Sequence, residues 1–100
     1  MKVIECPEYP NLKIKILEMP RKTPQRIKVL VDVVFAENGK KKTSRKLAVT
    51  STMNGRREAR EEIMMLLPLF DDKLSTRGKK RVVSSAVNNT INAAYALCDE

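Results

Sequence analysis

The sequence predicts an α+β fold, in which a three-stranded antiparallel β-meander is followed by two α-helices packed on one face. In the first half of the chain apolar and polar residues alternate, as in strands with one buried side. In the second half apolar residues recur every three or four positions, as in amphipathic helices. With 100 residues, 42% of them hydrophobic, the chain is expected to be a single domain, 1–100. The meander is expected at about 12–53 and the helices at about 55–67 and 76–98.

The three strands differ in how much apolar surface they present. The first, at residues 12–16, alternates leucine or isoleucine with lysine. The second, at 27–35, is apolar on much of both faces, which predicts a central place in the sheet. Pro20 and Pro24 lie between these strands and cannot continue a helix or a central strand, so an ordered loop is expected there. The third strand is expected at 45–53.

The hairpin between the second and third strands can be closed in two ways. The Asn-Gly pair at 38–39 suits a two-residue type I′ loop, but that register sets Val29 opposite Ala48 and mixes apolar with polar faces. A three-residue loop at 37–39 instead pairs Val29 with Leu47. Because a slip of one residue moves every side chain to the other face of the sheet, the three-residue loop is the prediction.

The two helices have recognisable ends. Asn54 can cap the first helix, and Pro68 disfavours helical geometry at Leu67, where that helix should end. The second helix has basic residues in its first turns and Asp99 and Glu100 at its end, which opposes the helix macrodipole. This charge order favours a role in contact with phosphates or an acidic protein groove. Fully solvated, screened side chains are the other interpretation.

Positive charge is concentrated in the middle of the chain. Of the 20 Lys and Arg residues behind the net charge of +8, most lie between Lys13 and Arg60. This distribution indicates a polyanionic partner or an acidic protein surface, whereas a lysine-rich face that only maintains solubility is the alternative. The chain has four aromatic residues, too few for a base-stacking platform, but duplex binding needs none. The candidates for contact with nucleic acid or an acidic surface are Lys40, Lys41, Lys42, Arg45, Arg77, Lys79, Lys80 and Arg81.

Catalysis is not expected. The chain has no histidine and two cysteines, which removes the usual general base and leaves too few ligands for a zinc site. We therefore predict no catalytic residues, metal, cofactor or small-molecule substrate. Cys6 and Cys98 are expected to be free thiols, although a bond between them is the alternative. No apolar run reaches the roughly 18 residues of a membrane span and no signal peptide is evident, so a cytoplasmic protein is expected.

The segment MMLLPLFDD is more apolar than one helix face requires. The five apolar residues at 63–67 sweep right around a helix, and Ala59 with Ile63, Leu66 and Leu67 completes an inward stripe. Met64 or Met65 should then face outward, and the loop after the helix is apolar too, as is typical of partner-binding patches. A loop that plugs the core is the alternative. The predicted partner-binding residues are Met64, Met65, Leu67, Pro68, Leu69 and Phe70.

Two resemblances suggest a biological context. The stretch RIKVLVDVVFAENGKKKTSRKLAVTSTMNGRREAREEI is similar in shape to the arm-binding domains of phage integrases, but lacks their usual glycine and aromatic positions. The whole chain, in size, basic balance and its Leu67-Pro68-Leu69, resembles the small phage anti-RecBCD proteins of the lambdoid P22 type. That resemblance implies a non-enzymatic phage protein that acts in the host cytoplasm and modulates or inhibits the RecBCD recombination nuclease. It also implies a host prolyl isomerase as a companion, which could engage Pro68.

Docking on a host DNA-processing enzyme is therefore the predicted function. The alternative is a DNA-binding accessory protein that uses the basic hairpin and the basic start of the second helix.

Overall fold

The computed structural model describes residues 2–68 and 74–99. Over these residues the chain is α+β, with an antiparallel sheet and two helices. The elements in chain order are β1 (Val3–Glu5), β2 (Leu12–Ile16), β3 (Arg21–Lys22), β4 (Ile27–Glu37), β5 (Lys40–Thr50), α1 (Met53–Leu66) and α2 (Thr76–Cys98).

The sheet has five strands in the described part of the chain, where three were predicted. β4 is central, because β2 pairs on one side of it and β5 on the other. Lys28 pairs with both Arg21 and Thr50, so the short β3 lies on the β2 side of β4, beyond the end of β2. β1 extends the sheet at its outer edge, with Ile4 opposite Ile14. The two additional strands span three and two residues, too few to establish an alternating pattern.

The hairpin between β4 and β5 corrects the predicted loop. Asn38 and Gly39 have φ angles of 53° and 77°, and Glu37 pairs directly with Lys40. The loop therefore has two residues and the positive φ values of a type I′ turn, and the predicted three-residue loop is wrong.

A β-bulge restores the hydrophobic match that the two-residue loop alone would lose. The register shifts between Phe35 and Ala36, which leaves Lys42 as an extra residue on β5. Beyond the bulge Val31 pairs with Leu47 and Val29 with Val49, so apolar side chains meet apolar ones. The requirement for matched faces was correctly anticipated, but the predicted pairing of Val29 with Leu47 is wrong, because the chain meets the requirement with a bulge inside the ladder.

One face of the sheet packs against the helices and forms the core. The buried positions of β2 and β4 alternate with exposed or half-buried ones, and their buried side faces α2, whereas α1 packs on β5. Tyr9 stacks on Phe35 with ring centroids 6.2 Å apart and closes one end of this layer. The helices contribute Ala59, Ile63, Val83, Ala86, Val87, Ile91 and Ala94 to the buried cluster.

The helix starts depend on capping hydroxyl groups. α1 begins earlier than predicted, because Thr52 rather than Asn54 is its cap and accepts a hydrogen bond from Gly55 N at 3.0 Å. Ser75 caps α2 in the same way. Leu67 follows α1 with extended backbone angles, as the residue before a proline requires. None of the helices in residues 2–68 and 74–99 has the length and apolar character needed to cross a membrane.

Candidate functional site

The two helices run antiparallel and leave an open groove along their outer side. Arg56, near the start of α1, donates from Nη1 to Asn88 Oδ1 at 2.7 Å, whereas Pro68, just past the end of α1, contacts Lys79 in the first turns of α2. The groove between these contacts has a volume of about 550 Å³. We call it the interhelical groove, and its lining residues are Arg57, Arg60, Glu61, Met64, Met65, Lys80, Val83 and Ser84.

The apolar run at 63–67 divides between the core and this groove. Ile63 is fully buried, and Leu67, four residues later on the same side, is 7% exposed. Met65 points the other way and is 75% exposed, while Met64 is half-buried in the groove. Leu67 was a predicted partner-binding residue, and the structure places it in the core instead, because it continues the inward stripe of α1.

Met65 lies between two concave surfaces. A second, more polar cavity of about 330 Å³ separates α1 from β5, and it shares Glu61 and Met65 with the interhelical groove. On the β5 side of this cavity Arg45 Nε lies 2.9 Å from Glu62 Oε2. The two groups form an ion pair without a hydrogen bond. Arg45 therefore links the hairpin to α1. It lies away from the exposed lysines at the hairpin tip.

Pro68 and Lys79 form a contact inside the helical hairpin. The Lys79 ammonium group donates to the carbonyl oxygen of Pro68 at 2.5 Å, and the Lys79 residue is only 4% exposed. This corrects the expectation that Lys79 belongs to a basic surface, because its amine is directed inward. Pro68 is half-buried, and the bond that precedes it is trans, as are all the peptide bonds in the described ranges. Leu69 and Phe70 lie outside the described residues.

The remaining basic candidates form two separate groups. Lys40, Lys41 and Lys42 are exposed at the hairpin tip, and Lys42 is the bulged residue. Arg77, Lys80 and Arg81 are exposed at the start of α2, where Lys80 reaches the interhelical groove. Only this second group lies beside the apolar surface of Met64 and Met65.

Sequence analysis missed the basic residues that α1 adds to the groove. Arg57 lies two turns and Arg60 one turn before Met64, so helical spacing places them along one side of the helix. The signal was present in the sequence as a recurrence every three or four positions. The spacing alone does not identify a site, because the partner helix that completes the groove is a tertiary feature.

A further group of lysines lies on the uncovered face of the sheet. Its members are exposed and point away from the helices: Lys13 and Lys15 of β2, Lys28 of β4 and Lys46 of β5. Lys15 and Lys46 flank Asp32 across the strands. Only the pairing register brings these residues together.

Comparisons with protein-family models, with curated proteins and with solved structures found no match. The site is therefore interpreted from its own chemistry.

Nucleophilic and metal-binding groups are sparse around the groove. Cys6 and Cys98 are free thiols, and burial, with a smaller contribution from the nearby Glu8 carboxylate, raises the pKa of the Cys6 thiol. A raised pKa lowers the thiolate fraction and with it the reactivity of that side chain. Over the described ranges no cluster of three or more Cys, Asp or Glu side chains is placed to hold a metal ion.

Arg56 is a structural residue of this region and provides a test of how the helices are held. Its Nε donates to the Ser51 carbonyl oxygen at 2.9 Å while Nη1 reaches Asn88, so one side chain joins the end of β5 to both helices. We expect Arg56→Ala to lower the free energy of unfolding by about 1–2 kcal/mol. Urea denaturation followed by circular dichroism measures this loss.

The neighbouring Arg57 is the matched control for Arg56. It is exposed and has no hydrogen bond or ion pair among the described residues, so Arg57→Ala should change stability by less than about 0.5 kcal/mol. Equal losses for the two variants would contradict the role given to Arg56.

Proposed function

We propose that this protein is a non-enzymatic docking protein that binds a partner protein through the interhelical groove. The observation that supports this most is Met65, a large apolar side chain that is 75% exposed beside an apolar groove. Exposed apolar surface costs solubility, and clustered patches of it are typical of interaction sites. Methionine suits such a surface because its unbranched side chain adapts to the shape of a partner.

The charges around the groove favour an acidic partner. Arg57, Arg60 and Lys80 contribute three positive charges to its lining, against one negative charge from Glu61. None of these three basic side chains forms an ion pair within residues 2–68 and 74–99. Such charges steer a partner of opposite sign and accelerate association, while the apolar floor contributes most of the affinity.

The partner that we propose is a host DNA recombination nuclease of the RecBCD type, which the protein modulates or inhibits. The resemblance of the whole chain to the phage anti-RecBCD proteins supports this choice. The net charge of +8 also suits an enzyme with an acidic or DNA-carrying surface. A host prolyl isomerase at Pro68 is part of the same proposal. Its access would require Lys79 to release the Pro68 carbonyl oxygen.

A capture experiment with a purified enzyme tests the docking proposal. The tagged protein is immobilised and exposed to purified RecBCD that is free of nucleic acid, and the exonuclease activity of the enzyme on linear duplex DNA is measured with and without the protein. We expect retention and an altered activity, and we expect Met65→Asp to abolish both by placing a charge on the apolar contact. Met53→Asp is the control, since Met53 is 86% exposed on the same helix but does not line the groove.

Failure of the unmodified protein to retain or affect the enzyme would reject RecBCD as the partner. Equal loss for the two methionine variants would reject the groove as the contact surface.

Direct DNA binding is the second candidate, and the lysines on the uncovered sheet face favour it. Together with Lys41, which pairs with Ala36 on that face, they provide contacts for phosphate groups. Among the described residues Tyr9 and Phe35 are buried, so recognition by base stacking is not favoured there. Titration of a labelled duplex at several salt concentrations tests this candidate. A steep salt dependence that Lys15→Gln with Lys46→Gln reduces would support it, and binding that these substitutions leave unchanged would reject this face.

A further inference from the structure

We propose that the occupant of the interhelical groove is a short acidic segment of the partner protein, anchored by one or two bulky apolar side chains. This inference rests on the proposed function, because it takes the groove to be the docking surface. It adds the chemistry of the segment that binds there, which neither the resemblance nor the charge of the chain specifies.

The size of the groove limits what it can hold. Its α1 lining runs from Arg57 to Met65, which corresponds to roughly 12 Å along a helix. That is about two helical turns, and the volume of about 550 Å³ is in the range of pockets that enclose compact ligands. A segment can therefore insert one or two large side chains, whereas a long helix face would extend beyond the apolar floor.

The floor and the rim of the groove differ in chemistry. Met64 and Met65 supply apolar surface, and Val83 lies fully buried beneath the groove. Arg57 and Arg60 lie on the α1 side and Lys80 on the α2 side, so cations border the apolar floor on both helices. The combination matches a ligand that carries an apolar anchor with carboxylates on either side of it.

The position of Lys80 strengthens the preference for acids. It lies near the start of α2, where the helix dipole presents its positive end and where Arg77 and Arg81 are also exposed. A second copy of this chain is disfavoured as occupant, because two basic rims would face each other across a symmetric contact.

The test uses a defined peptide and two matched controls. A fluorescein-labelled peptide of about 12 residues, rich in Asp and Glu and carrying one Leu and one Phe, is titrated with the protein by fluorescence anisotropy. One control peptide replaces the acids by their amides, and the other replaces Leu and Phe by Ala. We expect each control peptide to bind about tenfold more weakly than the parent peptide.

Variants of the protein locate the binding surface. Met65→Ser should weaken binding of the parent peptide about tenfold, whereas Met53→Ser should leave it unchanged. Arg60→Gln with Lys80→Gln should weaken the acidic peptide about tenfold and leave the amide control peptide unaffected. Lys40→Gln with Lys42→Gln removes the same charge at the hairpin tip and should change affinity by less than about twofold.

Several results would overturn the inference. Equal weakening by the hairpin-tip and groove substitutions would mean that the peptide responds only to net charge. Displacement of the peptide by a DNA duplex in the Lys15→Gln, Lys46→Gln variant would mean that the groove takes nucleic acid. A Met65-dependent dimer in sedimentation would identify a second copy as the occupant.

The chain itself contains a segment with the proposed ligand chemistry. Phe70, Asp71 and Asp72, which lie outside the described residues, combine an apolar side chain with two acids. The Phe70→Ser variant distinguishes this segment from an external ligand as the occupant of the groove. Unchanged peptide affinity supports an external ligand, and a gain of several-fold would overturn the inference in favour of the chain's own segment.

The peptide experiment and the capture experiment can each fail without the other. Groove-specific peptide binding without RecBCD retention would preserve the ligand chemistry and reject the partner. RecBCD retention that depends on Met65, without peptide binding, would preserve the docking proposal and reject the ligand chemistry.

Discussion

Replacing Ile63 by alanine is expected to lower the free energy of unfolding by about 2–5 kcal/mol. The side chain of Ile63 is fully buried on the inward side of α1 and belongs to the cluster that joins the helices to the sheet. The substitution removes apolar contacts and leaves a cavity that the surrounding strands and helices cannot fully collapse. Urea denaturation, monitored by circular dichroism, measures the loss.

Met65→Ala is the control for Ile63→Ala, because it shortens a side chain only two residues away. Since Met65 is 75% exposed, its loss should change the free energy of unfolding by less than about 0.5 kcal/mol. The two variants should also differ in function, with Met65→Ala weakening partner binding and folded Ile63→Ala retaining it. Similar stability losses for both would mean that the faces of α1 are assigned wrongly.

Replacing Gly55 by alanine is expected to destabilise the protein by about 1–3 kcal/mol, although alanine is by itself the better helix former by about 1 kcal/mol. A Cβ atom on Gly55 would lie 2.7 Å from Thr50 Cβ and 2.8 Å from the Thr50 carbonyl oxygen. These atoms belong to the end of β5, and backbone cannot yield as a flexible side chain can. The start of α1 must therefore move away from the sheet or remain strained.

Gly78→Ala provides a closely matched comparison. Gly78 has the same place in α2 as Gly55 has in α1, and its N–H donates to the capping hydroxyl of Ser75 at 3.1 Å. An added Cβ would meet first Leu74 Cδ2 at 3.2 Å, the end of a half-buried and adaptable side chain. We expect a change within about 1 kcal/mol, in the stabilising direction. A larger loss for Gly78→Ala than for Gly55→Ala would contradict the packing of α1 on β5.

Local patterns in the sequence anticipate much of the sheet and the helices. The alternation in β2 and the doubly apolar β4 predict their buried sides, and β4 is indeed central. Pro68 predicts the end of α1, because a proline restricts the residue before it whatever the surrounding fold. The short β1 and β3 were missed, since a strand of two or three residues depends on its neighbour for hydrogen bonds and carries little pattern of its own.

The candidate site was predicted only in part. Helical spacing predicts that Met64 or Met65 faces outward, and Met65 does so. The same spacing places Leu67 on the inward stripe, where it is buried, but it could not decide the direction of Lys79. A long side chain near a helix end can point to solvent or to a nearby backbone carbonyl, and the position of Pro68 over α2 determines the choice.

The sequence by itself determines the class of the fold, the concentration of positive charge and an apolar segment larger than one helix face needs. These properties follow from composition and from periodicities of two and 3.6 residues, which depend on neighbours along the chain. Tertiary structure alone decides the bulge at Lys42, the pairing of Arg45 with Glu62 and the groove that brings Lys80 to Met64. The ion pair and the groove join residues distant in sequence, and the bulge determines which faces of β4 and β5 meet. All three depend on how the helices and the sheet pack together.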